Sequence, residues 1–198
     1  MAENIHPIFD KILKKKDKES LLNQKAVVFW MTGLSGSGKS TLARGLENAL
    51  FEKGFTTKLL DGDNLRTGVN NNLGFSEEDR IENIRRAAEV SKLFMNCGII
   101  TICSLISPTY KIREMAREII GTENFYEVFI NCPFEVCAER DVKGLYKKAM
   151  NGEIKNFTGL DAPFDEPKDP AIEIKTDIHS LEDSEQLLFN EVIKIVTK

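Results

Sequence analysis

The chain has 198 residues, of which 41% are hydrophobic, and its formal net charge is −4. A chain of this length buries one sizeable core, so we expect a single domain that spans residues 1–198. The acidic balance disfavours a broad nucleic-acid surface, and no apolar run reaches the ~18 residues that a membrane span needs. We therefore expect a cytoplasmic protein that has neither nucleic acid nor a membrane among its partners.

The four cysteines, at positions 97, 103, 132 and 137, lack the C-x-x-C spacing that is typical of metal and redox sites. Cys97 and Cys103 fall in an apolar segment, where a thiol packs as a small hydrophobic side chain. We expect all four cysteines to be reduced and structural.

The first predicted strand, at 27–32, leads into the stretch GLSGSGKST at 33–41, and a helix is predicted over 40–53. A glycine-rich G-x-x-x-x-G-K-[ST] stretch between a strand and a helix is typical of a phosphate-binding P-loop. Its backbone N–H groups surround the β-phosphate, the Lys39 ammonium reaches the β- and γ-oxygens, and the Ser40 hydroxyl binds Mg²⁺. The predicted ATP-binding residues of the P-loop are Gly33, Leu34, Ser35, Gly36, Ser37, Gly38, Lys39, Ser40 and Thr41.

GTP-binding proteins combine such a loop with a guanine-binding N-K-x-D motif, which this sequence lacks. A D-x-x-G tetrapeptide occurs at 141–144, but it follows a predicted helix and lies far from the P-loop. ATP is therefore the expected nucleotide.

The second predicted strand, at 56–60, is followed by two carboxylates, Asp61 and Asp63. The carboxyl ends of parallel strands form the edge at which open α/β sheets bind ligands. Because side chains alternate along an extended segment, we expect at most one of the two carboxylates to face the phosphates. An ordinary Asp-Gly turn explains the same residues, and the pattern leaves both interpretations open.

Ser76 followed by acidic residues is typical of a helix N-terminus, and apolar residues at helical spacing continue this helix as far as Gly98. Arg80 and Asn83 are three residues apart and share one face of the helix, whereas Arg85 lies off that face. Each arginine is either a solvated surface charge or, near a P-loop, a bidentate ligand for phosphate or sulfate.

A near-continuous apolar strand is predicted at 99–105, as in a parallel sheet that is buried on both faces. Ser107 follows this strand. Its hydroxyl either lies at the ligand-binding edge or caps a helix over 108–120, in which Pro108 would be the first residue.

The remaining predicted elements are a strand at 125–131 and helices at 133–140 and 184–196. The alternation of strands and helices predicts an α/β fold of the P-loop NTPase type, a doubly wound parallel sheet with helices on both faces. Residues 141–170 are rich in Lys, Gly, Asp and Pro, and a connection of that length is typical of a lid.

Several further segments accompany the P-loop, in this order: LDGDNLR at 60–66, LGFS at 73–76, DR at 79–80, ENIRR at 82–86, ISP at 106–108, RDVKGLY at 140–146 and FTG at 157–159. Together they resemble the adenylylsulfate kinases, and the similarity runs from about residue 24 to residue 177. The P-loop alone occurs in many ATPases, whereas this ordered set is specific. The resemblance implies that MgATP phosphorylates the 3′-hydroxyl of adenosine 5′-phosphosulfate (APS), giving ADP and 3′-phosphoadenosine 5′-phosphosulfate (PAPS), an activated sulfate donor.

By position, the resemblance assigns the APS site to Asp63, Arg66, Phe75, Arg80 and Asn83, with Ile106 and Ser107 beside them. It implies that Phe75 stacks on the adenine of APS and that Phe164 closes the other side of the ring. Lys143 belongs to the implied lid over both nucleotides, and Arg140 would lie near the adenine of ATP. Guanidinium groups and an aromatic ring in one segment suit a compact dianion that carries an adenine.

The resemblance also places Ser107 at a position that the family associates with a phosphoserine intermediate. Phosphoryl transfer depends mainly on positioning and charge neutralisation, so direct attack by the ribose hydroxyl needs no covalent relay. We expect Lys39, Asp63 and Ser107 to be the catalytic residues, with Asp63 orienting or deprotonating the 3′-hydroxyl and Ser107 positioning APS.

The sequence departs from the family pattern at Thr109, where tyrosine is usual, and at Phe164, where tyrosine is more common. Both positions lie at the edge of the implied site, so the departures concern individual contacts. Relatives are commonly dimeric, and we expect a homodimer by analogy.

Two other functions compete with this interpretation. A P-loop kinase for another small hydroxyl compound, such as a nucleoside or a sugar acid, would share the P-loop and the lid. It would not need an aromatic ring and two arginines for a sulfated nucleotide. A catalytically silent ATP- or PAPS-binding module is disfavoured, because the chain carries Lys39, Ser40, Asp63, Arg66 and Arg80.

Overall fold

The structure is a computed structural model, and it describes residues 4–197. Its strands are β1 (Val28–Thr32), β2 (Thr57–Asp61), β3 (Ile100–Ser104), β4 (Phe125–Asn131) and β5 (Ile172–Lys175). Its helices are α1 (Lys15–Leu22), α2 (Lys39–Glu52), α3 (Gly62–Arg66), α4 (Glu77–Asn96), α5 (Tyr110–Ile120), α6 (Phe134–Arg140), α7 (Leu145–Met150) and α8 (Leu181–Val196). A short 3₁₀ helix spans Thr122–Asn124.

The five strands form one parallel sheet in the order β2-β3-β1-β4-β5. β1 is the central strand, and the P-loop connects its carboxyl end to α2. The chain adds β3 on one side of β1 and β4 on the other, so the strand order reverses at β1 and opens a crevice there. The predicted doubly wound parallel sheet is confirmed.

The core lies on both faces of the sheet, and successive residues of β1 alternate between the two faces. Phe29 and Met31 belong to the cluster that packs under α2 and α8, whereas Val28 and Trp30 belong to the cluster under α4 and α5. All four side chains are fully buried. The central strand is thus held rigidly from both sides, which fixes the position of the P-loop at its end.

Most predicted boundaries agree with the structure. β4 spans the predicted residues 125–131, and α4 begins directly after Ser76, whose hydroxyl accepts a hydrogen bond from the Asp79 N–H. No helix within residues 4–197 combines the length and the apolar character that a bilayer crossing requires.

Two predicted helix starts are wrong. α8 begins at Leu181 rather than at Ser184, because the Ser180 hydroxyl accepts a hydrogen bond from the Asp183 N–H and caps it there. The N-cap of α5 is Thr109, so Ser107 does not cap this helix. The Ser107 hydroxyl instead accepts a hydrogen bond from the indole of Trp30.

Besides the 3₁₀ helix, the structure contains four elements that the sequence pattern did not predict: α1, α3, α7 and β5. Three of these are short, with five residues in α3, six in α7 and four in β5, so periodicity has little length over which to show. The 141–170 segment is therefore partly helical.

The four cysteines are free thiols, but only three of them are buried. The expectation that Cys97 packs as a hydrophobic side chain is wrong: it caps the C-terminus of α4 and is exposed. Cys103 lies in the core, where burial raises the pKa of its thiol to about 12 and keeps it protonated.

Candidate active site

The P-loop forms a tight turn between β1 and α2, and two of its glycines explain why. At Gly33 the backbone has φ +152°, and an added Cβ would lie 2.5 Å from the Ile130 carbonyl oxygen. Gly38 is the N-cap of α2 with φ +101°, and no side chain caps the helix there. The first N–H groups of α2 therefore remain free to bind an anion.

Lys39 is buried at the start of α2, and its ammonium lies over the P-loop. Its Nζ donates hydrogen bonds to the carbonyl oxygens of Gly33, at 2.9 Å, and of Leu34, at 2.7 Å. Burial lowers the pKa of Lys39 to about 8. The ammonium thus lies where it can exchange these carbonyls for the oxygens of a bound phosphate.

Ser40, the predicted metal ligand, is part of a cluster of oxygen atoms. Its hydroxyl donates to Oδ2 of Asp61 at 2.6 Å and lies 3.2 Å from the hydroxyl of Ser104 at the end of β3. Hydroxyl and carboxylate oxygens are the donors that Mg²⁺ prefers, so this cluster fits the metal. Asp61 was not among the predicted site residues, although its place at the end of β2 was the available signal.

Asp61 and Asp63 do not lie on one extended segment, as the sequence analysis assumed. Asp61 is the N-cap of α3, and its Oδ1 accepts a hydrogen bond from the Asp63 N–H. Asp63 is in the first turn of α3 and forms an ion pair with Lys143. Asp61 is the carboxylate that contacts Ser40 of the P-loop, and the expectation that at most one of the two faces the phosphates stays a prediction.

Arg66 ends α3 and holds the segment that follows it. Its Nη1 donates to the carbonyl oxygens of Leu73, at 3.2 Å, and Gly74, at 2.9 Å. The guanidinium lies 4.3 Å from the centre of the Phe75 ring, and that ring is 67% exposed. Burial, followed by the nearby positive charge of Arg80, lowers the pKa of Arg66. The predicted arginine and aromatic ring are therefore in contact.

Arg80 joins this segment to the 141–170 segment. Its Nε donates to the Phe75 carbonyl at 3.0 Å, Nη1 to the Thr158 hydroxyl at 3.0 Å, and Nη2 to the Asn156 carbonyl at 2.6 Å. Arg85 points elsewhere on α4 and pairs with Glu82. Of the three arginines on this helix, Arg80 alone is bonded to the predicted lid, since Arg86 bonds to Glu82, Val69 and Asn72.

Asn83 lies beneath Arg80 on α4 and is buried. Its Oδ1 accepts a hydrogen bond of 3.0 Å from the side chain of Asn70, which is also buried. The structure therefore places Asn83 in the interior of the protein rather than at the surface of the predicted APS site.

The 141–170 segment packs against the P-loop through a small core of its own. Tyr146 in α7 is buried between Phe134 and Phe157 and donates its hydroxyl proton to the Ser35 carbonyl. Lys143, just before α7, reaches Asp63. One segment thus contacts both the P-loop and the predicted APS residues.

A cavity of about 470 Å³ opens between the end of β4 and residues 159–166. Leu34 and Phe164 line it, and the Phe164 ring lies 6.2 Å from that of Phe129. Among the residues described, Phe75 is not part of its wall, so the structure places only one of the two predicted adenine-binding rings at this cavity.

Ile106 and Ser107 form a turn directly after β3. Ile106 is at the surface, whereas Ser107 is buried and has φ +41°. The Ser107 hydroxyl accepts the Trp30 indole N–H at 2.9 Å, and Arg113 donates to the Ser107 carbonyl at 3.1 Å. The structure therefore points the Ser107 hydroxyl towards the interior.

Arg140 connects to the P-loop through a residue that the sequence analysis did not identify. It donates to the carbonyl of Thr176 at 2.6 Å and to its hydroxyl at 3.2 Å, and that hydroxyl donates to the Ser37 carbonyl at 2.8 Å. Thr176 follows β5, which was itself not predicted, so no sequence signal marked it. Tyr146 was visible in RDVKGLY, but no pattern indicated its contact with Ser35.

Comparison with known proteins shows the family to which the chain is similar. The family model for adenylylsulphate kinase matches residues 25–175. The adenylyl-sulfate kinase of Bacteroides fragilis is 57% identical over 195 residues, which cover 98% of this chain and 96% of the relative.

Solved structures of APS kinases are also similar to this chain. The Mycobacterium tuberculosis APS kinase CysC, determined with AMPPNP and APS, is 43% identical with a TM-score of 0.81, over 85% of this chain and 98% of that one. A hexameric APS kinase from Thiobacillus denitrificans is 27% identical with a TM-score of 0.66, over 87% of this chain and 29% of that one. The chain therefore belongs to the adenylylsulphate kinase family.

Proposed function

We propose that the protein transfers the γ-phosphate of ATP to the 3′-hydroxyl of APS, giving PAPS and ADP. One observation carries the proposal. In a chain of the adenylylsulphate kinase family, Arg66, Phe75 and Arg80 form one bonded group on the segment that follows Asp61, and Asp61 contacts Ser40 of the P-loop. The proposed sites for the phosphate donor, ATP, and the phosphate acceptor, APS, are therefore adjacent.

The P-loop, from Gly33 to Thr41, supplies the proposed ATP site. Its free N–H groups and the Lys39 ammonium face the position of the β- and γ-phosphates. Ser40 and Asp61 would hold Mg²⁺, which neutralises phosphate charge when it is bound. Arg140, tied to the P-loop through Thr176, would lie near the adenine of ATP.

Arg66 and Arg80 supply the proposed grip on the phosphosulfate of APS. Each already donates to backbone carbonyls, which fixes the guanidinium planes but leaves further N–H groups for the ligand. Phe75 and Phe164 would contact the adenine of APS, with Ile106 beside it. Asn83 would form part of the APS site from its buried side, and the side chain of Asn70 orients the amide of Asn83.

Asp63 is the proposed partner of the 3′-hydroxyl, which it would orient or deprotonate. It lies on α3, between Asp61 on the metal side and Arg66 on the APS side. Lys143 pairs with it from the 141–170 segment. We infer that this segment is a lid and that Lys143 brings positive charge to the point where the phosphoryl group is transferred.

Ser107 would position APS through the shape of its turn. Its hydroxyl is bonded to Trp30, and its carbonyl is held by Arg113, so the backbone of the turn is fixed in a left-handed conformation. A phosphoserine at this position would require that buried hydroxyl to leave its indole partner. The homodimer and the cytoplasmic location predicted from the sequence remain proposals of the same kind.

The test of the function is a direct assay. The purified protein is incubated with MgATP and APS, together and separately, and the nucleotides are resolved by chromatography. We expect PAPS and ADP in equal amounts, and only when both substrates are present. Adenosine and gluconate serve as competing acceptors. Preferential ADP release with either of these, or ADP release without PAPS, would contradict the proposal.

A further inference from the structure

Side chains from outside the P-loop hold two of its carbonyl groups. The Tyr146 hydroxyl donates to the Ser35 carbonyl at 2.7 Å, and the Thr176 hydroxyl donates to the Ser37 carbonyl at 2.8 Å. Tyr146 comes from α7 and Thr176 from the end of β5, so two distant parts of the chain meet at one short loop.

The peptide bond explains why this matters for phosphate binding. Because a trans peptide unit is planar, its C=O and N–H point in opposite directions. The Ser35 carbonyl shares its peptide unit with the Gly36 N–H, and the Ser37 carbonyl shares one with the Gly38 N–H. The two carbonyls point out of the P-loop, towards the hydroxyls of Tyr146 and Thr176. The two N–H groups therefore point into the loop.

The two N–H groups are available to a ligand. Gly36 has φ +76° and Gly38 has φ +101°, so both lie in the left-handed region that glycine adopts without strain. The hydrogen bonds described for residues 4–197 give neither of these N–H groups a protein acceptor. The Ser37 N–H between them donates to the Leu34 carbonyl, so these two closely spaced N–H groups are the ones that can contribute to an anion-binding concavity.

The hydroxyl of Tyr146 is rigidly placed. The side chain is only 2% exposed, and its ring makes edge contacts with Phe134, at 5.3 Å between centroids, and with Phe157, at 4.9 Å. The Asp141 carboxylate accepts hydrogen bonds from the N–H groups of Tyr146 and Lys147, which fixes the start of α7. The tyrosine therefore has little freedom to follow the loop if the loop moves.

Thr176 is fixed in a comparable way. Arg140 donates to both its carbonyl and its hydroxyl, so the hydroxyl proton is directed to the Ser37 carbonyl. The two hydroxyls thus act on two separate peptide units of the P-loop.

We propose that Tyr146 and Thr176 are positioning residues that orient the Gly36 and Gly38 N–H groups towards the β-phosphate of the nucleotide. The inference deepens the proposed function on its ATP side and rests on the P-loop binding ATP, not on the identity of the acceptor. It also gives the 141–170 segment a role at the donor site, because Tyr146 belongs to that segment.

The test compares the binding of ADP and AMP, which differ by the β-phosphate. Binding is measured by calorimetry on the full chain, with AMP measured by displacement of ADP. We expect Tyr146→Phe and Thr176→Val each to weaken ADP about fivefold, the effect of one hydrogen bond of about 1 kcal/mol. AMP binding should change less than twofold in Tyr146→Phe. In the double variant the losses should multiply to about 25-fold, because the peptide units are separate.

Tyr126→Phe is the matched control, since it removes a tyrosine hydroxyl whose one bonded partner within residues 4–197 is Lys25, away from the P-loop. It should leave both affinities unchanged. Equal weakening of ADP and AMP in Tyr146→Phe would indicate general loosening of the site and would overturn the proposal, as would unchanged ADP binding. Neither result depends on APS, so failure here is separate from failure of the PAPS assay.

Discussion

The two halves of the site are built in different ways. The P-loop is a run of consecutive residues whose shape depends on glycines such as Gly33 and Gly38. The proposed APS side is assembled from long side chains that meet across the fold, as when Arg80 bonds to Asn156 and Thr158. Its aromatic ring, Phe75, is largely exposed.

This difference separates what each half contributes. A rigid backbone cradle suits the phosphates, which every ATP-dependent kinase binds, because its N–H groups need no rearrangement when charge develops. Side chains that come from separate parts of the chain suit the acceptor, because they can differ between kinases that bind different acceptors. We therefore expect substitutions in the P-loop to affect turnover itself, and substitutions on the APS side to affect mainly the KM for APS.

Lys39→Ala should have the largest effect. It removes the buried ammonium that faces the position of the β- and γ-phosphates, and we expect kcat to fall roughly 10²- to 10³-fold. Lys53→Ala, on the exposed residue that caps the other end of α2, should change kcat less than twofold. Steady-state PAPS formation measures both. A Lys39→Ala enzyme with an altered KM for ATP but full kcat would contradict the expectation that P-loop substitutions affect turnover.

Arg80→Ala should have the next largest effect, and on the other half of the site. Loss of a charged hydrogen-bond donor of about 1.5–3 kcal/mol should raise the KM for APS roughly 10- to 100-fold and leave the KM for ATP unchanged. Arg85→Ala is the matched control on the same helix, since that guanidinium pairs with Glu82. Equal increases in both KM values would show that Arg80 supports the lid as a whole.

The same contrast explains what the sequence could predict. The P-loop and its flanking elements follow from local patterns, because a buried strand, a glycine-rich turn and an amphipathic helix are consecutive. β5 was not predicted, since it has only four residues. The contact between Arg80 and Thr158 joins residues 78 positions apart, which no local pattern reveals. Asp61 was misjudged because α3 turns the chain immediately after β2.

The pH dependence of nucleotide binding tests the buried ammonium directly. Burial lowers the pKa of Lys39 to about 8 in the free protein, and bound phosphates should raise it again. Binding then takes up a proton at alkaline pH, so ADP affinity should be flat below about pH 7 and fall up to tenfold per unit above about pH 8. Calorimetry from pH 6.5 to pH 9.5 measures this.

Lys39→Arg is the control for that dependence. Arginine remains charged throughout this range, so its weaker binding should lose the alkaline fall that starts near pH 8. Wild-type affinity that stays constant to pH 9.5 would mean that Lys39 keeps its charge over the whole range, and the expected lowering of its pKa would be wrong.

Ser107→Ala should have the smallest effect on turnover and yet a clear effect on stability. The substitution removes the acceptor of the buried Trp30 indole N–H, and an unpaired buried donor costs about 1–3 kcal/mol of unfolding free energy. The turn keeps its other anchors, because Thr32 donates to the Ile106 carbonyl and Arg113 to the Ser107 carbonyl. We therefore expect kcat and the KM for APS to change less than about threefold.

Denaturant unfolding and PAPS formation, measured on the same preparation, separate these two effects. Loss of turnover with unchanged stability would show that the Ser107 hydroxyl acts on the substrate. A wild-type serine that takes radiolabel from ATP and passes it to APS would establish a covalent relay. Either outcome would contradict the role that we assign to Ser107, which is to position APS through the shape of the turn after β3.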